Sequence, residues 1–165
     1  MNNDYRRIIT DGLWNNNQAL VALLEAYGVD TVFGIPGNHT VQLYRGLGAS
    51  GIRHISPRHE QGAGFMAAGY ARASGEVGVV MVTSGPGATN TVTPVRDSMA
   101  DSVPMVVICG QVPTAAIGTD AFQEAPVSAI MGAVAKHVFL VTDAEKLEAT
   151  MRSAFELART GRPGP

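Results

Sequence analysis

The chain has 165 residues, enough for one ordinary domain with its own core. Hydrophobic residues make up 45% and charged residues 16%, a balance that excludes a disordered chain and fits a well-buried globular domain. A net charge of −2 exerts no pull on polyanions, so nucleic acid is not an expected partner.

The first 17 residues, with Asn15-Asn16-Asn17 and little periodicity, read as an N-terminal arm outside the fold, and only Trp14 hints at docking. Ile8-Ile9 is the sole apolar pair before Thr10, too little for a signal peptide. No apolar run approaches the ~18 residues of a membrane span, and the expected location is cytoplasmic with no membrane partner.

A helix is expected over 18–27, where Leu20, Leu23, Leu24 and Tyr27 fall on one stripe and Gly28 supplies the stop. Apolar runs near 31–35, 52–56, 77–83, 104–110 and 137–141 read as strands alternating with helices. That order predicts an α/β fold for residues 18–165, an open parallel sheet with helices on both faces. The runs at 77–83 and 104–110 are almost continuously apolar and should be central strands. Thr142 and Glu145 form a candidate capping box for a last helix whose apolar face is Leu147, Met151, Ala154, Phe155 and Ala158, with Gly161 ending it.

Pro57 closes the second strand, so Glu60 falls where a strand's carboxyl end passes into a helix, the place where open α/β sheets bind ligands. Gly62, Ala63, Gly64, Ala67, Ala68 and Ala71 make that helix slim enough for another backbone to approach, either at a subunit boundary or inside the chain. Arg58, His59 and Gln61 are read as holding the turn, and His54 and His137 as structural. Cys109 lies in an apolar run and is expected to be an inert thiol. Ser84-Gly85-Pro86-Gly87-Ala88-Thr89-Asn90 follows a strand and opens a helix, yet lacks the endings of a P-loop or a dinucleotide fingerprint.

Taken together, Phe33-Gly34-Ile35-Pro36-Gly37, the segment 57–73, Thr83 with the glycine-rich run after it, Gly110-Gln111-Val112-Pro113-Thr114, Ile117-Gly118-Thr119-Asp120-Ala121-Phe122-Gln123-Glu124 and Lys136-His137 occur in a known order. Over about residues 18–165 the chain resembles the pyrimidine-binding, N-terminal domain of thiamine-diphosphate enzymes, acetolactate synthases above all. The resemblance implies thiamine diphosphate as cofactor and a 2-oxo acid as substrate of a decarboxylase or carboligase. In this chemistry the cofactor's own exocyclic amine removes a proton from the thiazolium carbon once a carboxyl group has hydrogen-bonded the pyrimidine ring. Glu60 matches that carboxyl group. A carboxylate in the first turn of a helix is also favoured by the helix dipole alone, by ~0.3–1 kcal/mol.

Pro36, Gly37, Thr83, Gly85, Pro86, Gly87 and Asn90 match residues that shape the cofactor cleft. Pro36-Gly37-Asn38-His39 departs from acetolactate synthases, which usually carry a second glycine and an alanine there. A histidine at the place of His39 occurs in relatives such as benzaldehyde lyase, where it faces the substrate and can move protons; the alternative is a loop histidine bonded to backbone, and Asn38 next to it is expected to line the substrate. Gln111 matches a glutamine beside the reacting centre, able to donate to a developing oxyanion. Phe122 and Lys136 match an aromatic and a cation on the substrate's approach, although a lone Phe is more often core and Lys136 fits a helix C-terminal cation equally.

The family holds the diphosphate and its Mg2+ on a separate domain through a Gly-Asp-Gly motif, which does not occur in this sequence. Some acetolactate synthases also bind FAD through a middle domain. The chain is thus expected to need a diphosphate-binding domain from the same or another chain, in a homodimer or tetramer, and to show no turnover alone. The alternative is a non-catalytic binding module or small subunit that pairs with a separate diphosphate-binding protein.

Overall fold

The computed structural model describes residues 16–165. Trp14 and most of the expected arm lie outside the described residues, and helix α1 (Asn16–Ala26) already includes Asn16 and Asn17. In α1 the stripe of Leu20, Leu23 and Leu24 is buried as its spacing requires, and Gly28 leaves the helix at φ +77°.

Four strands form one all-parallel sheet: β1 (Thr31–Gly34), β2 (Arg53–Ile55), β3 (Gly78–Val82) and β4 (Met105–Cys109), in the spatial order β2-β1-β3-β4. Thr31 pairs with Arg53, Phe33 with Val80, and Gly78 with Met105. The strand period of two sends alternate residues to opposite faces. Val32, Val79, Met81 and Val106 meet α1 and the last helix, α7 (Leu147–Arg159), whose Met151, Phe155 and Ala158 are buried. Phe33, Val80, Val82 and Met105 face the other side and meet α3 (Glu60–Ser74), with Val95 from α5 (Val92–Ala100) and Met131 from α6 (Val127–Gly132). Helices on both faces make β3 buried throughout, which is why its sequence is uninterruptedly apolar. Two short helices complete the order, α2 (Val41–Leu47) after β1 and α4 (Pro86–Thr89) after β3.

Helix α3 begins where Pro57 has ended the preceding strand. Nδ1 of His59 accepts from the Gln61 amide at 3.1 Å, so His59 caps the turn as its neighbours' sequence suggested. Ala63, Gly64, Ala67, Ala68 and Ala71 press against the sheet and α5 within this chain, while Phe65 and Met66 on the opposite side stay exposed.

Three expectations are corrected. The run at 104–110 reads as a central strand, but β4 is the edge of the sheet, and its burial falls off from Val107 onward, where it lines a groove. Residues 137–141 form no strand: they line, together with β4, this groove of about 540 Å³. Among the described residues their backbone pairs with no strand, β4 included. The last helix is not capped by Thr142; Asp143 accepts from the Glu145 amide at 3.0 Å and opens a 3-10 turn, Ala144–Lys146, that leads into α7. Asp143 is one residue nearer the helix, so its carboxylate reaches the free amide first.

Candidate functional site

In the order β2-β1-β3-β4 the chain leaves β1 toward one side of the sheet and returns to β3 on the other, making a switch point at the carboxyl ends of β1 and β3. The segments that follow β1, β2 and β3 contribute residues there. Thr40, almost fully buried, closes the turn after β1: its Oγ1 accepts from the Gly37 amide at 3.1 Å and donates to the Gly37 carbonyl at 3.2 Å. That turn lies directly on β3's end. The His39 amide donates to Thr83 Oγ1 at 3.4 Å, and a Cβ on Gly37 would stand 2.5 Å from the Thr83 Cβ, so only glycine permits the approach.

Glu60, half-buried in the first turn of α3, accepts from Nδ2 of Asn90 at 2.9 Å through its Oε2. The Asn90 backbone is fixed at the end of α4, where its main-chain N–H donates to the Pro86 carbonyl at 3.0 Å. Among the described residues no cation pairs with Glu60. Its charge is felt by Tyr44 of α2, whose phenol donates to the Met81 carbonyl at 2.6 Å. Burial first, and the Glu60 charge second, push the Tyr44 phenol well above its ordinary value near 10. Tyr44 carries no sequence signal of this role; it reads only as one residue of a short helix.

Ser84 is fully buried, with its Oγ 2.7 Å from Nδ1 of His39 and 3.0 Å from the carbonyl of Gln123. A Cβ on Gly85 would stand 2.2 Å from that same carbonyl oxygen, so the glycine lets the 118–124 loop close over the turn. The loop is held by Glu124, whose carboxylate accepts from the amides of Gly118 and Ala121; these backbone donors, that of Gly118 foremost, keep its carboxyl below the usual range. Pro36 and Asn38 are exposed beside His39, and Pro86 is exposed beside the buried Gly87.

Gln111, Lys136 and Cys109 belong to different surroundings, the groove beside β4, in whose lining neither Glu60 nor Asn90 takes part. The Gln111 side chain accepts from the Val112 amide at 2.8 Å. Gly110, which precedes it, packs on the backbone of His39, so the groove's upper end adjoins the switch-point turn. Lys136 donates to the carbonyls of Leu157 and Thr160, the second at 2.7 Å, and so serves as the cation at the end of α7. Phe122 is 68% exposed on the closing loop. Burial pushes the Cys109 thiol up to about 12, which makes it unreactive at neutral pH. Among the described residues there is no cluster of three potential metal ligands and no helix long and apolar enough to cross a membrane.

A parallel open sheet whose switch point gathers one unpaired acid, an amide that orients it, a histidine and glycine-permitted turns defines a small-molecule-binding α/β domain. The particular class follows from comparison with known proteins. The family described as thiamine pyrophosphate enzyme, N-terminal TPP binding domain, matches residues 15–131, and the chain belongs to that family. It is 54% identical over 144 residues to the acetolactate synthase catalytic subunit, mitochondrial, of Saccharomyces cerevisiae, covering 87% of this chain and 21% of the relative. It is 52% identical over 149 residues to the acetolactate synthase large subunit of Corynebacterium glutamicum (90% and 24%). With the chloroplastic acetolactate synthase of Arabidopsis thaliana the identity is 50% over 147 residues (88% and 22%). The chain thus spans between a fifth and a quarter of the length of these relatives.

Proposed function

We propose that this chain is the pyrimidine-binding part of a thiamine-diphosphate-dependent 2-oxo acid decarboxylase or carboligase of the acetolactate synthase type, with Glu60 as the acid that engages the cofactor's pyrimidine ring. The observation that carries the reading is the Asn90–Glu60 hydrogen bond at the switch point. It turns the carboxyl group to a fixed orientation, occupies one oxygen and leaves Oε1 for a ligand. A carboxylate without a cationic partner fits a ring nitrogen better than a committed ion pair would, because it can hold and return a proton. When bound, thiamine diphosphate supplies the carbon nucleophile that attacks a keto group. Glu60 holds or releases a proton at Oε1, and Asn90 keeps it from turning away. Tyr44, kept protonated, places no second negative charge beside it.

The remaining assignments extend the same reading. Pro36, Gly37, Thr83, Gly85, Pro86 and Gly87 shape the cleft wall, which their close backbone packing supports. His39 and Asn38 face the substrate, and Gln111 and Phe122 border its path. Mg2+ and the diphosphate belong to another domain, in the same or a second chain, and FAD to a middle domain in flavin-bearing members. The exposed Phe65 and Met66 on α3 support burial against a second subunit in a homodimer or tetramer.

The test is the complete enzyme assayed for carbon dioxide release from a panel of 2-oxo acids with added cofactor and Mg2+. Wild type turns over at least one of them and Glu60→Gln none at a comparable rate. Full activity in the variant excludes the proposal.

A further inference from the structure

The bonding of Ser84 bears on what His39 can do, and the inference rests on reading His39 as a residue that faces the substrate. The Ser84 hydroxyl has one proton and two neighbours, Nδ1 of His39 at 2.7 Å and the Gln123 carbonyl at 3.0 Å. A carbonyl oxygen only accepts, so a hydroxyl bonded to it has used its proton there and can only accept from the imidazole. Nδ1 of a neutral His39 then carries the ring proton, and Nε2 carries the lone pair.

The opposite assignment, with Ser84 donating to Nδ1, would hold two acceptor oxygens 3.0 Å apart with no proton between them at a residue that water does not reach. Leaving a buried acceptor so placed is costly. The structure drives Gln123 onto Ser84 by three separate means. Gln123 itself sits at φ +59°, Glu124 pins the loop by two backbone amides, and Gly85 has no side chain to hold the carbonyl off. Among the described residues Nε2 makes no hydrogen bond.

We propose that Ser84 is a positioning residue that locks neutral His39 in the Nδ1–H tautomer through a Gln123 carbonyl, Ser84 hydroxyl, His39 relay, and so presents Nε2, with its lone pair, as the hydrogen-bond and proton acceptor on the substrate side. When Nε2 takes up a proton the ring becomes an imidazolium with both nitrogens donating. Ser84 is already oriented to accept from one of them, so no bond has to be remade. Fixing one ring nitrogen by the hydrogen bond at the other is how a histidine's role is set.

The experiment is a long-range proton–nitrogen correlation spectrum of the 165-residue chain labelled with 15N-histidine, at a pH above the ordinary imidazole range. The His39 signals are identified by their disappearance in His39→Gln. The expected wild-type pattern is a protonated, pyrrole-like Nδ1 and an unprotonated, pyridine-like Nε2, with the pyrrole-like Nδ1 signal lost in Ser84→Ala. A wild-type His39 protonated at Nε2 overturns the proposal, and this result needs no variant to fold. Unchanged kcat/KM in the complete enzyme carrying His39→Gln instead overturns the substrate-facing role, and with it the catalytic meaning of Ser84, whatever the tautomer.

Discussion

Asn90 and Glu60 stand 30 positions apart in the sequence and 2.9 Å apart in space, and their hydrogen bond ties the end of α4 to the first turn of α3 across the switch point of the sheet. Removing the amide frees the carboxylate to rotate without removing it. In the complete enzyme, Asn90→Ala should lower kcat by about 10–150-fold, the equivalent of about 1.5–3 kcal/mol for a lost hydrogen bond to a charged group. Steady-state kinetics check this, and an unchanged kcat would show that Asn90 does not position Glu60.

Tyr44 gives a pH dependence of stability that can be measured on the chain itself. Its folded-state value is raised, so above about pH 10 the unfolded chain has lost the phenolic proton while the folded chain keeps it. Fewer protons bound in the unfolded state means that stability falls as pH rises, by up to about 1.4 kcal/mol per unit, until the folded phenol ionises too. Below pH 10 the contribution is fully present. Tyr44→Phe should lessen this slope, leaving the part that the raised Cys109 thiol and Tyr70 phenol contribute with the same sign, while costing about 0.5–1.5 kcal/mol at neutral pH for the lost bond to Met81. Urea titrations between pH 8 and 11 separate the two effects.

Helix α3 contains two glycines with opposite expectations. A Cβ at Gly64 would lie 2.3 Å from the ring of Pro94 on α5, so Gly64→Ala forces the helices apart and should destabilise the chain by about 1–3 kcal/mol despite better helix propensity. Gly69 has nothing within 4 Å, and Gly69→Ala should stabilise by up to about 1 kcal/mol. Thermal unfolding of the two variants checks the contrast. Equal effects would mean that α3 is not packed on Pro94 as described.

Cys109 should be alkylated slowly. With its thiol pushed up to about 12, iodoacetamide at pH 8 should react about 10³-fold more slowly than with a free cysteine, and the rate should rise about tenfold per pH unit. Denaturant should restore the ordinary rate. Fast labelling of the folded chain would show that water in the groove reaches the partly buried thiol and that burial does not keep it protonated.

The outline of this fold was legible in the sequence because buried parallel strands leave an apolar run, as at 77–83 and 104–110, and because Gly28, Pro57 and Gly161 mark element ends; that the second run lies at the sheet's edge and not its centre depends on strand order, which an apolar run does not encode. The position of Glu60 was legible for the same reason, since Pro57 sets where strand gives way to helix. The run at 137–141 is as apolar as a strand, but pairing depends on a neighbour that local sequence cannot supply. Tyr44, Ser84 and Gln123 were not found because their roles arise from contacts 37, 45 and 39 residues distant. Lys136 was left between two roles, and only the position of the end of α7 shows which carbonyls its ammonium meets.

The central claim, that Glu60 activates a thiamine cofactor, is tested most directly by hydrogen–deuterium exchange at the thiazolium carbon of thiamine diphosphate bound to the complete enzyme, which requires no knowledge of the substrate. Exchange in Glu60→Gln should be slower than in wild type by about 10²–10⁴-fold, the usual contribution of a positioned acid–base group. Equal exchange rates in the two proteins, with cofactor bound in both, would contradict the account.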